Sequence, residues 1–211
     1  DPSATRFSRM MLNFATMLHS RTYLGYLLTV MDTFGGLFAY LIGASFVLVD
    51  GLGMSELHFG LSFSGASVAF MGGAFLGSRI VRRLGIERMC LIGTSFTAFS
   101  GILIFSLIWG GYITPVSVIL PPVIYFFGMG LSQPNIQAGA ISPFPHMAGA
   151  AAALLGLAQY ISAGLFSVIV GVFAFDPTLL MATVMGASGV FAFVIFTTMI
   201  WLPLRRSGRP D

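Results

Sequence analysis

Residues 79–112 read RIVRRLGIERMCLIGTSFTAFSGILIFSLIWGGY. The first ten hold four arginines and a glutamate, and the next 24 hold no charged side chain. About 20 mostly apolar residues in a helix cross the hydrocarbon core of a bilayer. The stretch therefore reads as a basic membrane-side loop followed by a transmembrane helix. Working outward, the chain contains five more runs of the same kind. The spacing predicts spans over roughly 22–48, 57–81, 89–112, 115–141, 148–173 and 178–202. Composition agrees: 56% of residues are hydrophobic and 8% charged, with a mean hydropathy of +0.93. Soluble domains average about 25% charged residues.

The chain has ten arginines and no lysine, and the arginines fall in three places. Arg6, Arg9 and Arg21 precede the first span, Arg79, Arg82, Arg83 and Arg88 separate the second from the third, and Arg205, Arg206 and Arg209 follow the last. The other connections carry Asp50, Glu56, His146 and Asp176. Loops rich in Lys and Arg stay in the cytoplasm, so both termini are expected there, and residues 142–146 are placed on the same side by counting spans. Residues 1–21 set arginines beside Met10, Met11, Leu12 and Phe14 and read as an amphipathic cytoplasmic linker. Residues 22–203 read as one six-helix transmembrane domain and 204–211 as a cytoplasmic tail. The chain starts at Asp1 and reads as a piece of a longer protein. Its net charge of +3 flanks apolar spans instead of forming a basic face, so nucleic acid is not an expected partner. Cys90 is alone, so no intrachain disulfide can form.

The spans differ in chemistry with a period of three. Spans one and four are polar: the first carries Asp32, the fourth Gln133, Asn135 and Gln137 around Pro134. Spans two and five are rich in small residues. Gly65, Ala69, Gly73 and Gly77 are each four apart, and Gly149, Ala152, Gly156 and Gly164 follow in the fifth. Such stripes let helix backbones approach closely in lipid. Spans three and six have uncharged interiors with Phe96, Phe99, Phe105, Phe191, Phe193 and Phe196, as lipid-facing helices should. The order predicts an all-α membrane protein, six transmembrane helices arranged as two three-helix repeats. An odd number of spans per repeat inverts the second. Inverted repeats with a site near the midplane mark secondary transporters.

Asp32 lies eleven residues beyond Arg21, about 16 Å along a helix and near mid-bilayer. A carboxylate there costs roughly 2.5–3.5 kcal/mol on insertion scales, so something must offset it. It shares a helix face with Gly25, Thr29, Gly36, Ala39 and Tyr40, which predicts that it points inward. Two readings stand: a protonatable or cation-binding group in a cavity, or a carboxyl hydrogen-bonded to Thr29, Tyr40 or another helix. Gln133 and Gln137 share a face with Phe126, Met129 and Gly130. Amides, an aromatic ring and methionine make a wall that accepts varied lipophilic ligands, or the amides bond between helices. Pro134 removes a backbone hydrogen bond and predicts a kink. His19 and His146 lie outside the spans and His58 at the very start of the second, all without partners at ligand spacing, so no metal is expected. Gly186-Ala187-Ser188-Gly189 has the spacing of an intramembrane serine protease, but no histidine lies in the interior of a span to act as its base. A phosphate-binding loop needs a lysine the chain lacks. Neither an enzyme nor a cofactor is expected.

Residues 134–156, PNIQAGAISPFPHMAGAAAALLG, continuing to Gln159, resemble the tenth-to-eleventh helix region of the bicyclomycin/chloramphenicol-resistance (Bcr/CflA) type of multidrug transporter. That type belongs to the drug:proton antiporter branch of the major facilitator superfamily. Residues 38–48, FAYLIGASFVL, resemble the family's seventh helix, with Ala44-Ser45 where Ser-Pro is usual, and residues 23–26, YLGY, resemble the approach to it. Residues 77–88 resemble the second, degenerate copy of the superfamily's cytoplasmic loop motif through Arg82, Arg83, Gly85 and Arg88. Arg82 occupies the place of the motif's acid and Ser78 that of its leading glycine.

The resemblance covers the whole chain but only the C-terminal half of a twelve-helix architecture. It implies that the first and fourth helices line a cavity, the second and fifth pack across to the other half, and the third and sixth lie outside. It implies proton-coupled export of lipophilic drugs or metabolites across a bacterial inner membrane, with the main coupling acids in the other half. The expected partners are the missing N-terminal six-helix half, the lipid bilayer, a lipophilic small molecule and protons. Two alternatives remain at this point. One is a facilitator-type carrier of another small solute, although no arginine lies inside a span to bind an anion. The other is a non-transporting membrane subunit or permease scaffold.

Overall fold

The computed structural model of the protein describes residues 14–172 and 176–206. Six helices among them are long and apolar enough to cross a membrane. They are α1 (Arg21–Ser45), α2 (Glu56–Leu84), α3 (Ile86–Trp109), α4 (Pro115–Ile141), α5 (Ala148–Val172) and α6 (Pro177–Phe196). α1 continues as a π-helical turn, Phe46–Gly51, and α6 runs through another, Thr197–Trp201, into the short α7, Leu202–Arg206. Residues 14–19 are helical. The rest of the expected linker, the end of the fifth span at Phe173 and residues 207–211 of the expected tail lie outside the described residues.

Polar side chains at the helix starts satisfy amides that lipid cannot. The Ser20 side chain accepts from Tyr23 N, and Ser55 accepts from His58 N. Thr114 and Ser117 close a capping box on α4, and Asp176 accepts from Thr178 N and Leu179 N at 2.9 and 3.1 Å. The third span ends at Trp109, short of the expected Tyr112, because Gly110-Gly111 closes it with Gly111 at φ +81°.

Packing repeats with the same period of three as the chemistry. α1 packs along α5 and α6, α4 packs along α2 and α3, and α3 packs along α6. α1 and α4 meet more briefly, while α2 barely touches α3 and α5 barely touches α6. Exchanging α1–α3 for α4–α6 maps this pattern onto itself. Consecutive spans cross in opposite directions, so the second three-helix unit is inverted relative to the first.

Glycines let the backbones cross. A methyl group on Gly93 would stand 2.6 Å from Gly128 O, and one on Gly128 would stand 2.7 Å from Gly93 O. Gly101 and Gly186 abut each other's carbonyls in the same way between α3 and α6. Between α2 and α4, Gly73 lies against Phe127 O and Gly130 against Phe70 O, while Gly77 packs on Leu131. The small residues make a close crossing within this chain there and not at the other positions of the two stripes. Gly65, Gly149, Gly156 and Gly164 have no neighbour within 4 Å of a would-be Cβ. α5 instead buries Ala151, Leu155, Ala158 and Ser162, spaced four, three and four, in its packing on α1. Its glycines are turned off that face.

Hydrogen bonds between helices are few. Tyr23 OH donates to Ala151 O (2.7 Å), Tyr125 OH to Thr33 O (3.1 Å), Ser100 Oγ to Pro121 O (2.5 Å) and Trp109 Nε1 to Thr183 Oγ1 (3.1 Å). Most buried hydroxyls bond back within their own helix, as Thr29 does to Gly25 O and Ser132 to Gly128 O.

Candidate functional site

α1, α2 and α4 enclose a cavity of about 280 Å³ lined by Phe34, Leu37, Ser67, Phe70, Met71, Phe126 and Met129. Phe63 and Tyr40 set their rings edge-on to Phe126 at 5.9 and 6.5 Å. Tyr40 is thus buried behind the cavity, supporting its wall. Flexible methionines and aromatic faces let such a cavity adapt to ligands of different shape. Phe126 and Met129 are where the sequence placed them. Phe34, Leu37, Phe70 and Met71 also line it and carry no polar group that sets them apart from lipid-facing residues in the sequence. For Phe34 the signal is its recurrence with Met31, Phe38 and Leu41 on one side of the first span.

Gln133 sits one turn beyond Met129 on the same face of α4. It is 3% exposed, and neither atom of its amide has a hydrogen-bond partner. The interhelical bond offered as an alternative for Gln133 is therefore absent among the described residues. A buried amide left unpaired costs about 1–3 kcal/mol. Gln137, one turn further, is exposed and lines a smaller cavity of about 80 Å³ with Ile141, Ala152, Leu155, Gly156 and Gln159. Phe126, Met129, Gln133 and Gln137 thus form one line along α4. Asn135 does not join them. It lies some 200° around the helix from Gln133, and its Nδ2 donates to Leu131 O at 2.7 Å. Pro134 is exposed inside α4 and cannot donate to Gly130 O.

Asp32 is half-buried, but not in the cavity wall. It lies one turn before Gly35 and Gly36. A Cβ on Gly35 would meet Phe166 of α5 at 2.8 Å, and one on Gly36 would meet Ser188 of α6 at 2.9 Å. The carboxyl therefore occupies the flank of α1 that faces the divide between α5 and α6, whereas Phe34 and Leu37 face the cavity. The shared face with Gly25 and Gly36 does point inward, but against α6: Gly25 abuts Met199 and Ile200. The expected partner Thr29 donates to Gly25 O instead, and Asp32 makes no hydrogen bond or ion pair with a described residue. Other described carboxylates sit at helix ends or in loops.

The loop between α2 and α3 is one residue long. Gly85, at φ +83°, caps α2 through a bond from its N–H to Val81 O (2.9 Å) and begins α3 at once. Only glycine adopts that conformation without strain. Arg82 and Arg83 in the last turn of α2 and Arg88 in the first of α3 are exposed around it, and Arg79 stacks on Phe75 at 4.9 Å.

Six membrane helices in two inverted triplets, with a ligand-sized cavity between the first and fourth, form the inverted-repeat architecture found in secondary transporters. Relatives agree. The chain is 28% identical over 186 residues to a bicyclomycin resistance protein homolog of Haemophilus influenzae, covering 87% of this chain and 46% of that one. It is 31% identical over 160 residues to the MFS-type transporter YdgK of Bacillus subtilis, covering 74% and 39%. It is 25% identical over 199 residues to the multidrug resistance protein D of Escherichia coli, covering 93% and 48%. The chain spans about half the length of the curated relatives it matches. No family model matches it, and no solved structure matches it significantly. The chain belongs to the major facilitator superfamily, a family of carriers rather than enzymes.

Proposed function

We propose that this chain is the C-terminal half of a secondary transporter that exports lipophilic small molecules in exchange for protons. The observation that carries the reading is the cavity between α1, α2 and α4. Its wall is aromatic and methionine-rich, and the unpartnered Gln133 amide lies one turn from it. A lipophilic ligand with a donor or acceptor would satisfy both surfaces. Relatives named for bicyclomycin and multidrug resistance support the same substrate class. The N-terminal six-helix half would close the cavity, seated on the exposed sides of α2 and α5. Those sides carry Val68, Met71 and Phe75 on α2 and Leu157, Tyr160 and Leu165 on α5. Asp32, Gln133, Gln137, Tyr40, Phe126 and Met129 are the residues we assign to substrate and proton handling, Asp32 from behind the wall. The arginine distribution supports a bacterial inner membrane orientation with both termini, the Arg82–Arg88 loop and the residues around His146 in the cytoplasm.

The test is transport by the full-length protein in proteoliposomes. Efflux of a fluorescent lipophilic cation should follow an imposed pH gradient, and Phe126→Ala and Met129→Ala should weaken it. This chain alone should not transport, because its cavity is one wall of two. Export by the isolated chain, or full-length efflux indifferent to the gradient, would overturn the proposal.

A further inference from the structure

A second, chemically different cavity of about 400 Å³ lies where the chain enters α1 and leaves α6. Arg21, the first residue of α1, and Arg206, the last of α7, stand on it, with Thr198, Leu202 and Pro203 completing the lining. We infer that this cavity binds the phosphodiester headgroup of an anionic membrane phospholipid between the two guanidinium groups. The inference rests on the membrane reading and not on transport.

The backbone prepares the site. In the π-helical turn, Leu202 N–H goes to Thr197 O, one carbonyl earlier than Thr198 O, which the tighter α-helical register would give it. The next residue, Pro203, has no N–H. Thr198 O is thereby left over, and Arg21 Nη2 donates to it at 3.5 Å. That long bond orients the Arg21 fork and leaves its remaining N–H groups for a ligand. Thr198 Oγ1 is engaged with Val194 O at 2.8 Å and does not compete. Among the described residues the lining holds no carboxylate. Two arginines at a membrane boundary, with no described acid between them, match a phosphate, which guanidinium groups bind through paired N–H donors.

Depth and surroundings fit a lipid better than a soluble ion. Trp201, half-buried, has Arg205 stacked over its ring at 4.9 Å, an arrangement suited to the headgroup level. Leu202 and Pro203 give the cavity an apolar side for the glycerol and the root of the acyl chains. Basic pockets between helices on the cytoplasmic side bind such headgroups.

The experiment is native mass spectrometry of the delipidated protein in mild detergent. It is titrated separately with phosphatidylglycerol, with zwitterionic phosphatidylethanolamine and with inorganic phosphate. Phosphatidylglycerol should be retained in preference to phosphatidylethanolamine, and inorganic phosphate should not displace it. Arg21→Gln and Arg206→Gln should each weaken retention about fivefold, as losing about 1 kcal/mol per basic side chain gives. Arg79→Gln removes a charge from the same boundary away from the cavity and should bind like the parent. Equal retention of the zwitterionic lipid, displacement by inorganic phosphate, unchanged retention in both cavity variants, or an equal loss in Arg79→Gln would each overturn the inference. Lipid preference is read on the unaltered protein, so it decides the matter even if a variant does not fold.

Discussion

Gly93→Ala puts the geometry of the helix crossings to the test. A Cβ at Gly93 would stand 2.6 Å from both Gly128 O and Ser132 Cβ, where ordinary contact begins at 3.4 Å. α3 would have to retreat from α4 by about 0.8 Å. A gap of about 0.5–1 Å forfeits a quarter to a half of each contact's dispersion well along the crossing. The retreat cannot stay local, because Thr97 O on α3 lies against Gly189 of α6. Overpacking of this kind costs about 1–3 kcal/mol. Gly164→Ala is the matched control. Nothing lies within 4 Å of its Cβ position, so the substitution should be neutral or stabilise the helix by up to about 1 kcal/mol. Unfolding of the purified protein by increasing denaturing detergent, followed by circular dichroism, measures both. Gly93→Ala as stable as the parent, or Gly164→Ala as damaging as Gly93→Ala, would refute the packing described here.

Three more outcomes follow from the site. Gln133→Leu removes a buried unpaired amide and should raise stability by about 1–3 kcal/mol in the same unfolding assay; a loss of stability would mean that the amide has a partner. Asp32→Asn in the full-length transporter should leave expression intact but flatten the pH dependence of cation export, since Asn keeps size and hydrogen bonding while removing titration. Unchanged pH dependence would take Asp32 out of the proton pathway. Reporter fusions after Leu52 and after Arg206 should report opposite sides of the membrane, and the same side from both would contradict the arginine-based orientation.

Lipid makes some features legible in sequence and hides others. A span must be long and nearly uncharged, so the six runs and their order of polar, small and apolar could be read directly, and that order is the order in which the helices pack. The site face of α4 was legible for a similar reason: Phe126, Met129, Gln133 and Gln137 recur at three and four. Small residues carry less information. They permit close approach without naming a partner, so Gly73 meets α4 while Gly156 meets nothing within 4 Å.

Asp32 was legible only in part, because its charge says that it avoids lipid and not which neighbour it faces. Gly25, Gly36 and Gly43 held the missing cue. All three sit on one side of α1; Gly36 and Gly43 abut α6 through Ser188 and Met181, and Gly25 abuts its π-helical continuation through Ile200. A carboxyl on the edge of that side belongs behind the cavity wall. If it takes up a proton there, it cannot do so by touching a ligand among Phe34, Phe126 and Met129. Coupling would have to pass through the next turn of α1, where Gly35 meets Phe166 and Gly36 meets Ser188 and the Tyr125 hydroxyl. Tyr125 also bonds Thr33 O and belongs to α4. One turn of α1 therefore joins the carboxyl to α4, which shares the cavity wall with α1 and α2, and that is the route by which a charge behind the wall would reshape it.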